Sequence, residues 1–458
     1  MLLMTLIIVA VLGVGYALMS TEQAHHINRA AVAMVCGVVA WVIYMINGGD
    51  FVRLMHSREY AEFIGHAISS PDTVKMFVAS KIMPTYIAEA CSVILFLIAT
   101  NTIVEVMHNN GVFDPLIHWL RMRSSKKFLW VISGITFVIS ANVDNLTTVV
   151  LMMSLVSHIV RNHHQRVIYA CAIMIAACMG GCFTVIGDMT SVMLWVRGTV
   201  TPTAYSAGLV LPALVTTCVF NLLMMVKLHG RVEVFSIFSQ CDGNDSYWPA
   251  WQKVVLLIIG IGGLWFIPSF HFITKLPPFL GSLSVLALVW TIEGLFNLER
   301  NGNQLIVQRH YFRTTEFIGM RMILYFIGIS LATGALAECG ALDWLGRWLE
   351  SNINNVYAYG ALTGAISTVL DNVPIVMMGM NMFSIDATST DFCVNGIYWM
   401  MLSYCCACGG CLLFTGTMAG QAVLEVEKIR FRWYMRNYFW RVLVAWAAGM
   451  AVFAVMHA

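Results

Sequence analysis

Residues 128–160 read FLWVISGITFVIS-ANVDN-LTTVVLMMSLVSHIV, two apolar arms joined by the polar run Ala141-Asn-Val-Asp-Asn145. Each arm is about half the length needed to cross a ~30 Å hydrocarbon core, which takes roughly 20 helical residues. Interrupted backbone at membrane depth is tolerated only where protein or a water-filled cavity lines it. The flanks decide how the segment runs. Arg121, Arg123, Lys126 and Lys127 precede it, and Arg161 and Arg166 follow it. Basic residues concentrate on the cytoplasmic side, so both ends are expected on one face. The stretch reads as a re-entrant hairpin.

The rest of the chain fits that reading. Of its 458 residues, 59% are hydrophobic and 11% charged, with a mean hydropathy of +0.76. An ordinary soluble domain carries about 25% charged residues, and a globule this poor in charge could not cover its own surface. Spans are expected near Leu2–Ser20, Ala30–Asn47, Ile82–Val106, Ala204–Val226, Val254–Phe270, Phe279–Phe296, Phe317–Ala337 and Tyr438–Met456. The chain is an all-α polytopic membrane protein. With 26 basic and 24 acidic residues, no basic stripe remains for nucleic acid. The first segment lacks a basic n-region and reads as a retained span. Asp50–Lys81 reads as a polar loop with an interfacial helix around Arg58–Ile68, and His229–Tyr247 and Leu298–Arg313 as further connections. None is long enough for a soluble catalytic domain, so any chemistry belongs inside the membrane.

The hairpin has a second copy. Ser140-x-x-x-Asp144-Asn145 recurs as Ser367-x-x-x-Asp371-Asn372, and Gly180-Gly-Cys-x-x-x-x-Gly187 recurs as Gly409-Gly-Cys-x-x-x-x-Gly416. Upstream, Gly111-Val-Phe-Asp114 matches Gly340-Ala-Leu-Asp343. Each unit then holds about five crossings, one re-entrant hairpin and one broken helix, and an odd number of crossings inverts one unit relative to the other. The expected organisation is an N-terminal scaffold with an outer loop over 1–80 and a repeat-one core over 81–228. That core has a hairpin at 127–160 and a broken helix at 167–198. A cytoplasmic linker follows at 229–249. Repeat two covers 250–458, with a hairpin at 356–383 and a broken helix at 396–427. Corresponding interrupted segments point to a transporter's binding site.

Asp144 and Asp371 form the expected central pair. A carboxylate at the bilayer centre costs about 2.5–3.5 kcal/mol on the insertion scale, so retaining two needs a reason. Helix capping is one reason, but Asn or Ser would cap without the charge. Two carboxylates repel an anionic substrate and favour a cation or proton. A carboxyl withdrawn from water favours its protonated form, so it can release a proton when a cation arrives. Hard oxygen donors stand around the pair: Ser140, Asn142, Asn145, Thr147, Thr148, Ser367, Thr368 and Asn372. Thr184, Gly187, Asp188, Thr190, Thr415, Gly416 and Thr417 stand at the breaks. Oxygen ligands suit hard cations, and Asp144, Asn145, Asp371 and Asn372 are the expected Na+ ligands. Asp188, opposite Thr417 in the repeat, is either a third titrating group or a water-exposed helix start. Glu89, Glu105 and Glu338 read as interface or loop positions. His163 and His164 read as solvated loop residues. Most of the thirteen cysteines lie in apolar runs, and Cys405, Cys406, Cys408 and Cys411 read as small residues packing beside a broken helix rather than as a zinc or redox site.

These residues resemble the NhaD-type sodium/proton antiporters of the ion transporter superfamily. The runs Ser140–Thr148, Ser367–Pro374 and Gly187–Thr190 carry the likeness. The resemblance implies exchange of Na+ or Li+ for H+ with no cofactor, in a bacterial inner membrane. It also implies a homodimer with a fixed scaffold and a mobile body holding both hairpins. It gives ion-site roles to Ser140, Asp144, Asn145, Asp188, Thr190, Ser367, Asp371 and Asn372. Dicarboxylate-carrying relatives show Ser-Asn-Thr at the hairpin tips, where this chain has Asp-Asn. Two other readings are an arsenite-type metalloid exporter, for which Cys178, Cys182 and Cys411 would be thiol ligands, and an intramembrane aspartyl protease. Ile186, where a Gly-x-Gly-Asp motif needs glycine, argues against the protease.

Overall fold

The computed structural model describes residues 2–22, 27–65, 68–113, 120, 122, 124–228, 230, 232, 248–300, 315–353 and 355–457. Asp114, Arg121, Arg123, His229, Arg231 and most of the linker lie outside the described residues. Among the described residues there is helix and no strand, and nine helices are long and apolar enough to cross a membrane.

The N-terminal half begins with α1 (Leu2–Ser20) and α2 (Arg29–Ile46), followed by α3 (Gly48–Met55), α4 (Ser57–Ile64) and α5 (Pro71–Phe77). A π-helical turn, Val78–Ile82, carries α5 straight into α6 (Met83–Asn109). Next come α7 (Ser125–Ser140), α8 (Asn145–Ile159), α9 (His163–Cys182), α10 (Met189–Val196) and α11 (Pro202–Met225). The C-terminal half holds α12 (Ala250–Thr274), α13 (Pro278–Arg300), α14 (Thr315–Glu338), α15 (Ala341–Asn352), α16 (Val356–Ser367) and α17 (Asn372–Met382). It closes with α18 (Ile397–Gly410), a 3-10 turn at Phe414–Gly416, α19 (Met418–Glu427), α20 (Phe431–Tyr434) and, after a π-helical turn at Met435–Phe439, α21 (Trp440–Met456).

One expectation needs correction. The stretch 50–81 is mostly helical rather than a loop. Ser70 caps α5, its hydroxyl accepting from Thr73 N at 3.2 Å, and the Thr73 hydroxyl accepts from Ser70 N at 2.8 Å. With Pro71 at the first helical position, this is a strong helix start, and it lies in the sequence.

Two helix groups pack side by side. In the first, α2 lies along α1 and α14, and α13 lies along α6 and α12. Small residues bring α2 and α14 together: a Cβ on Gly37 would stand 2.8 Å from Gly328 O. Trp41 Nε1 donates to Leu331 O at 2.9 Å across the same seam. Close backbone approach through glycine is a common way for helices to associate in lipid. The second group holds α7–α11 and α16–α21, where α9 packs on α7 and α8, α18 on α16, and α11 on α21. Residues of α9 and α18 are nearly all buried, so the two broken helices form its centre.

The second group is stitched at two ends. Glu427, at the end of α19, lies 2.6 Å from Arg166 Nε and 3.1 Å from His163 Nδ1. His163 and His164 are exposed, as expected, but stand in the first turn of α9 rather than on a loop, and His164 stacks edge-on against Trp433. At the other end, Asn395 Oδ1 accepts from Thr201 N at 2.6 Å, and Arg197 Nη1 donates to Asn381 Oδ1 at 2.7 Å.

In the first group, buried Glu338 accepts from Tyr86 OH at 2.8 Å and lies 2.8 Å from His56 Nε2. The Glu338 contact raises the His56 pKa above its ordinary value. A raised folded-state pKa stabilises fully below the unfolded value, about 6.5 for His, and the gain fades as pH rises through the folded value. Accordingly, His56→Gln should lower the Tm more at about pH 6 than at about pH 9. Thermal unfolding in detergent at both pH values measures this; an equal drop at both would assign the effect to packing.

Candidate cation site

The site is built from helix starts. At the first tip, α7 stops at Ser140 and Asp144 caps α8, its Oδ2 accepting from Leu146 N at 3.2 Å. At the second tip, α16 stops at Ser367 and Asp371 caps α17, its Oδ1 accepting from Asn372 N at 2.9 Å. Asp188 sits at the start of α10, and Thr417 caps α19 by accepting from Gly420 N at 3.0 Å. The capping reading holds at both tips, and it leaves other carboxylate oxygens free for chemistry.

Glycines bring breaks and tips together. A Cβ on Gly187 would stand 2.5 Å from Ser140 O, and one on Gly416 would stand 2.5 Å from Ser367 O. Both positions need the absence of a side chain so that the broken helix can lie directly on the hairpin.

The four helix starts meet around one small cavity. Its walls include Asp144, Asn145, Asp188, Asn372 and Thr417, together with Leu146, Met189, Val373 and Met418. Asp188 is buried rather than water-exposed. Its Oδ2 accepts from Thr190 Oγ1 at 2.6 Å and from Asn372 Nδ2 at 3.5 Å, and it lies within electrostatic reach of both Asp144 and Asp371.

Most other candidates stand behind this wall. Ser140 Oγ donates to Ala177 O at 2.8 Å and to Asn145 Oδ1 at 2.9 Å, and Ser367 Oγ donates to Cys406 O at 2.9 Å. These serines sew each tip to its broken helix. Thr184 Oγ1 donates to Ala141 O at 2.6 Å, Thr368 Oγ1 to Gly364 O at 3.2 Å, and Thr147 Oγ1 to Asn101 Oδ1 at 3.4 Å. Asn142 Nδ2 donates to Val138 O at 2.9 Å while its Oδ1 is buried without a partner. The Thr415 carbonyl accepts from Gln421 Nε2 at 3.2 Å. Among the described residues, neither Asp371 nor any thiol lines the cavity. Asp371 instead lies within electrostatic reach of Tyr325 and Arg29 of the first helix group. Sequence reasoning missed both residues. Arg29 was open to notice as a lone cation at the edge of an apolar run; Tyr325, mid-span, carries no such signal.

A multi-pass helical protein that brings two buried carboxylates and other polar side chains together at four helix starts around one cavity is built as a membrane transporter. A family model described as citrate transporter (CitMHS) matches residues 8–407, and the chain belongs to that family, within the ion transporter superfamily. The chain is similar to sodium/proton antiporter 1 of Arabidopsis thaliana, at 28% identity over 97% of this chain and 71% of the relative. It is 26% identical to sodium/proton antiporter 2 of the same plant, over 97% of this chain and 98% of the relative. It is also 26% identical to the Na(+)/H(+) antiporter NhaD of Vibrio cholerae, over 94% of this chain and 92% of the relative.

Proposed function

We propose that this protein exchanges Na+ or Li+ for H+ across a membrane, cation and proton competing for the carboxylates of the cavity. The observation that carries the reading is the placement of two buried carboxylates, Asp144 and Asp188, in the wall of one cavity. Each helix start contributes about half a positive charge, so four converging starts by themselves form an anion cradle. Asp144 and Asp188 reverse that polarity. The same backbone serves a carboxylate substrate when its caps are neutral and a cation when they are acidic. This reconciles a family described by citrate with relatives named for sodium and protons. Asn145, Asn372 and Thr417 add oxygen atoms suited to a hard cation.

In this reading the hairpins and broken helices move as one body against α1, α2, α6 and α12–α14, in an elevator-type cycle. The two units are inverted repeats and the protein works as a homodimer. The bacterial inner membrane is supported by the Vibrio relative, although the plant relatives are as similar. Among the described residues no thiol lines the cavity, so the metalloid reading lacks its ligands there.

Purified protein in proteoliposomes should release protons when Na+ or Li+ is added, and a silent response to both would end the proposal. Topology has its own test. Lys127 and Asn162, which flank the first hairpin and are both exposed, should react as single cysteines from the same, cytoplasmic, face. Labelling from opposite faces would show a full crossing and remove the inverted repeat.

A further inference from the structure

The two hairpin-tip aspartates occupy unlike surroundings. Asp144 opens to the cavity, and its tip meets the first helix group through neutral atoms, Thr147 against Asn101. Asp371 is outside the cavity wall, and its buried Oδ2 accepts no hydrogen bond. The carboxylate lies within electrostatic reach of the Tyr325 phenol on α14 and of the Arg29 guanidinium at the start of α2. Arg29 lies over the Tyr325 ring, its Cζ 5.1 Å from the centroid, and among the described residues its carboxylate partner within 4 Å is Glu22, at 3.9 Å, with Asp371 farther off. The same tip is held a second time, where Ser20 Oγ donates to Val369 O at 3.0 Å. A buried charge without a counterion is among the most destabilising arrangements in a protein. An arginine stacked on an aromatic ring suits the role of counterion, being held in place and weakly hydrated.

We infer that Arg29, positioned on Tyr325, is a tethered counter-cation for Asp371, which leaves Asp144 and Asp188 to hold the transported ion. The pair spans the two helix groups, so it is also a latch. Any displacement of the hairpin body along α2 and α14 must part Asp371 from Arg29. Arg29 is a positioning residue that touches no cargo. The inference rests on the proposed antiport but is tested apart from it.

Two measurements on the full chain in detergent are needed. The first is Tm without Na+ for Arg29→Gln, Arg29→Lys, Asp371→Asn and the Arg29→Gln/Asp371→Asn double variant. Arg29→Gln should lower Tm by several degrees, Arg29→Lys should recover most of the loss, and the double variant should be no less stable than Asp371→Asn alone. Additive losses from the two single variants would overturn the pair. The second is the Na+ concentration giving half-maximal thermal stabilisation. Asp371→Asn should keep it within about threefold of wild type, whereas Asp144→Asn should raise it more than about tenfold, since only the latter removes a cavity charge. Equal loss in both would place Asp371 among the cargo ligands and overturn the assignment. An absent Na+ effect in wild type alongside a non-additive Tm cycle would retire the antiport reading while the latch stands.

Discussion

Asp144→Asn and Asp188→Asn should each reach the membrane at normal levels and lose Na+-dependent proton release by about a hundredfold or more. Asn caps a helix about as well as Asp, so the starts of α8 and α10 survive the change. What disappears is the charge that holds a desolvated cation, and with it a group able to exchange a proton. Everted vesicles report the loss directly as a missing Na+-induced pH change. In wild type the pH profile should also move with Na+ concentration, because proton and cation compete for the same oxygen atoms. Full antiport by both variants would leave capping as the whole role of these carboxylates.

Comparable loss is expected from a single methyl group. Gly187→Ala and Gly416→Ala each place a Cβ 2.5 Å from a hairpin carbonyl oxygen. The obstacle is main chain, so no side-chain rotation relieves it, and overpacking of this kind costs about 1–3 kcal/mol or more. The tip must shift away from the broken helix and take the cavity wall with it. Transport by either variant should fall about tenfold to a hundredfold, since misplacements of about 1 Å are that expensive at a positioned site. Gly134→Ala is the control: nothing lies within 4 Å of its added Cβ. Proteoliposome flux normalised to protein makes the comparison, and wild-type rates for both variants would mean that the contact does not shape the site.

What was readable from sequence was local. The paired Ser-x-x-x-Asp-Asn tips and Gly-Gly-Cys breaks carry their own cap chemistry and turn requirements, so the positions of α7, α8, α9 and α16–α18 follow from them within a few residues. The candidate list held every polar side chain that lines the cavity: Asp144, Asn145, Asp188, Asn372 and Thr417. Orientation was not readable. The repeat makes Asp144 and Asp371 equivalent as sequence, yet one lines the cavity and the other does not, its helix α17 packing against α14. Burial of Asp188 was equally unreadable, because its neighbours come from both hairpins. His163 likewise has a partner more than half the chain away, at Glu427, and no run of basic residues announces that.

The seam between α2 and α14 has a consequence for how the protein is made. The ribosome completes α2 at residue 46, but the helix that covers its Gly37 face does not begin until residue 315. In the interval that face, and the arginine that heads it, must be sheltered by lipid or by the insertion machinery. Chains released before α14 emerges would carry α1, α2 and α6 in the bilayer without their partner. Such fragments are expected substrates for membrane quality control, and closure of the α2–α14 seam comes late in biogenesis although α1 and α2 can pair early.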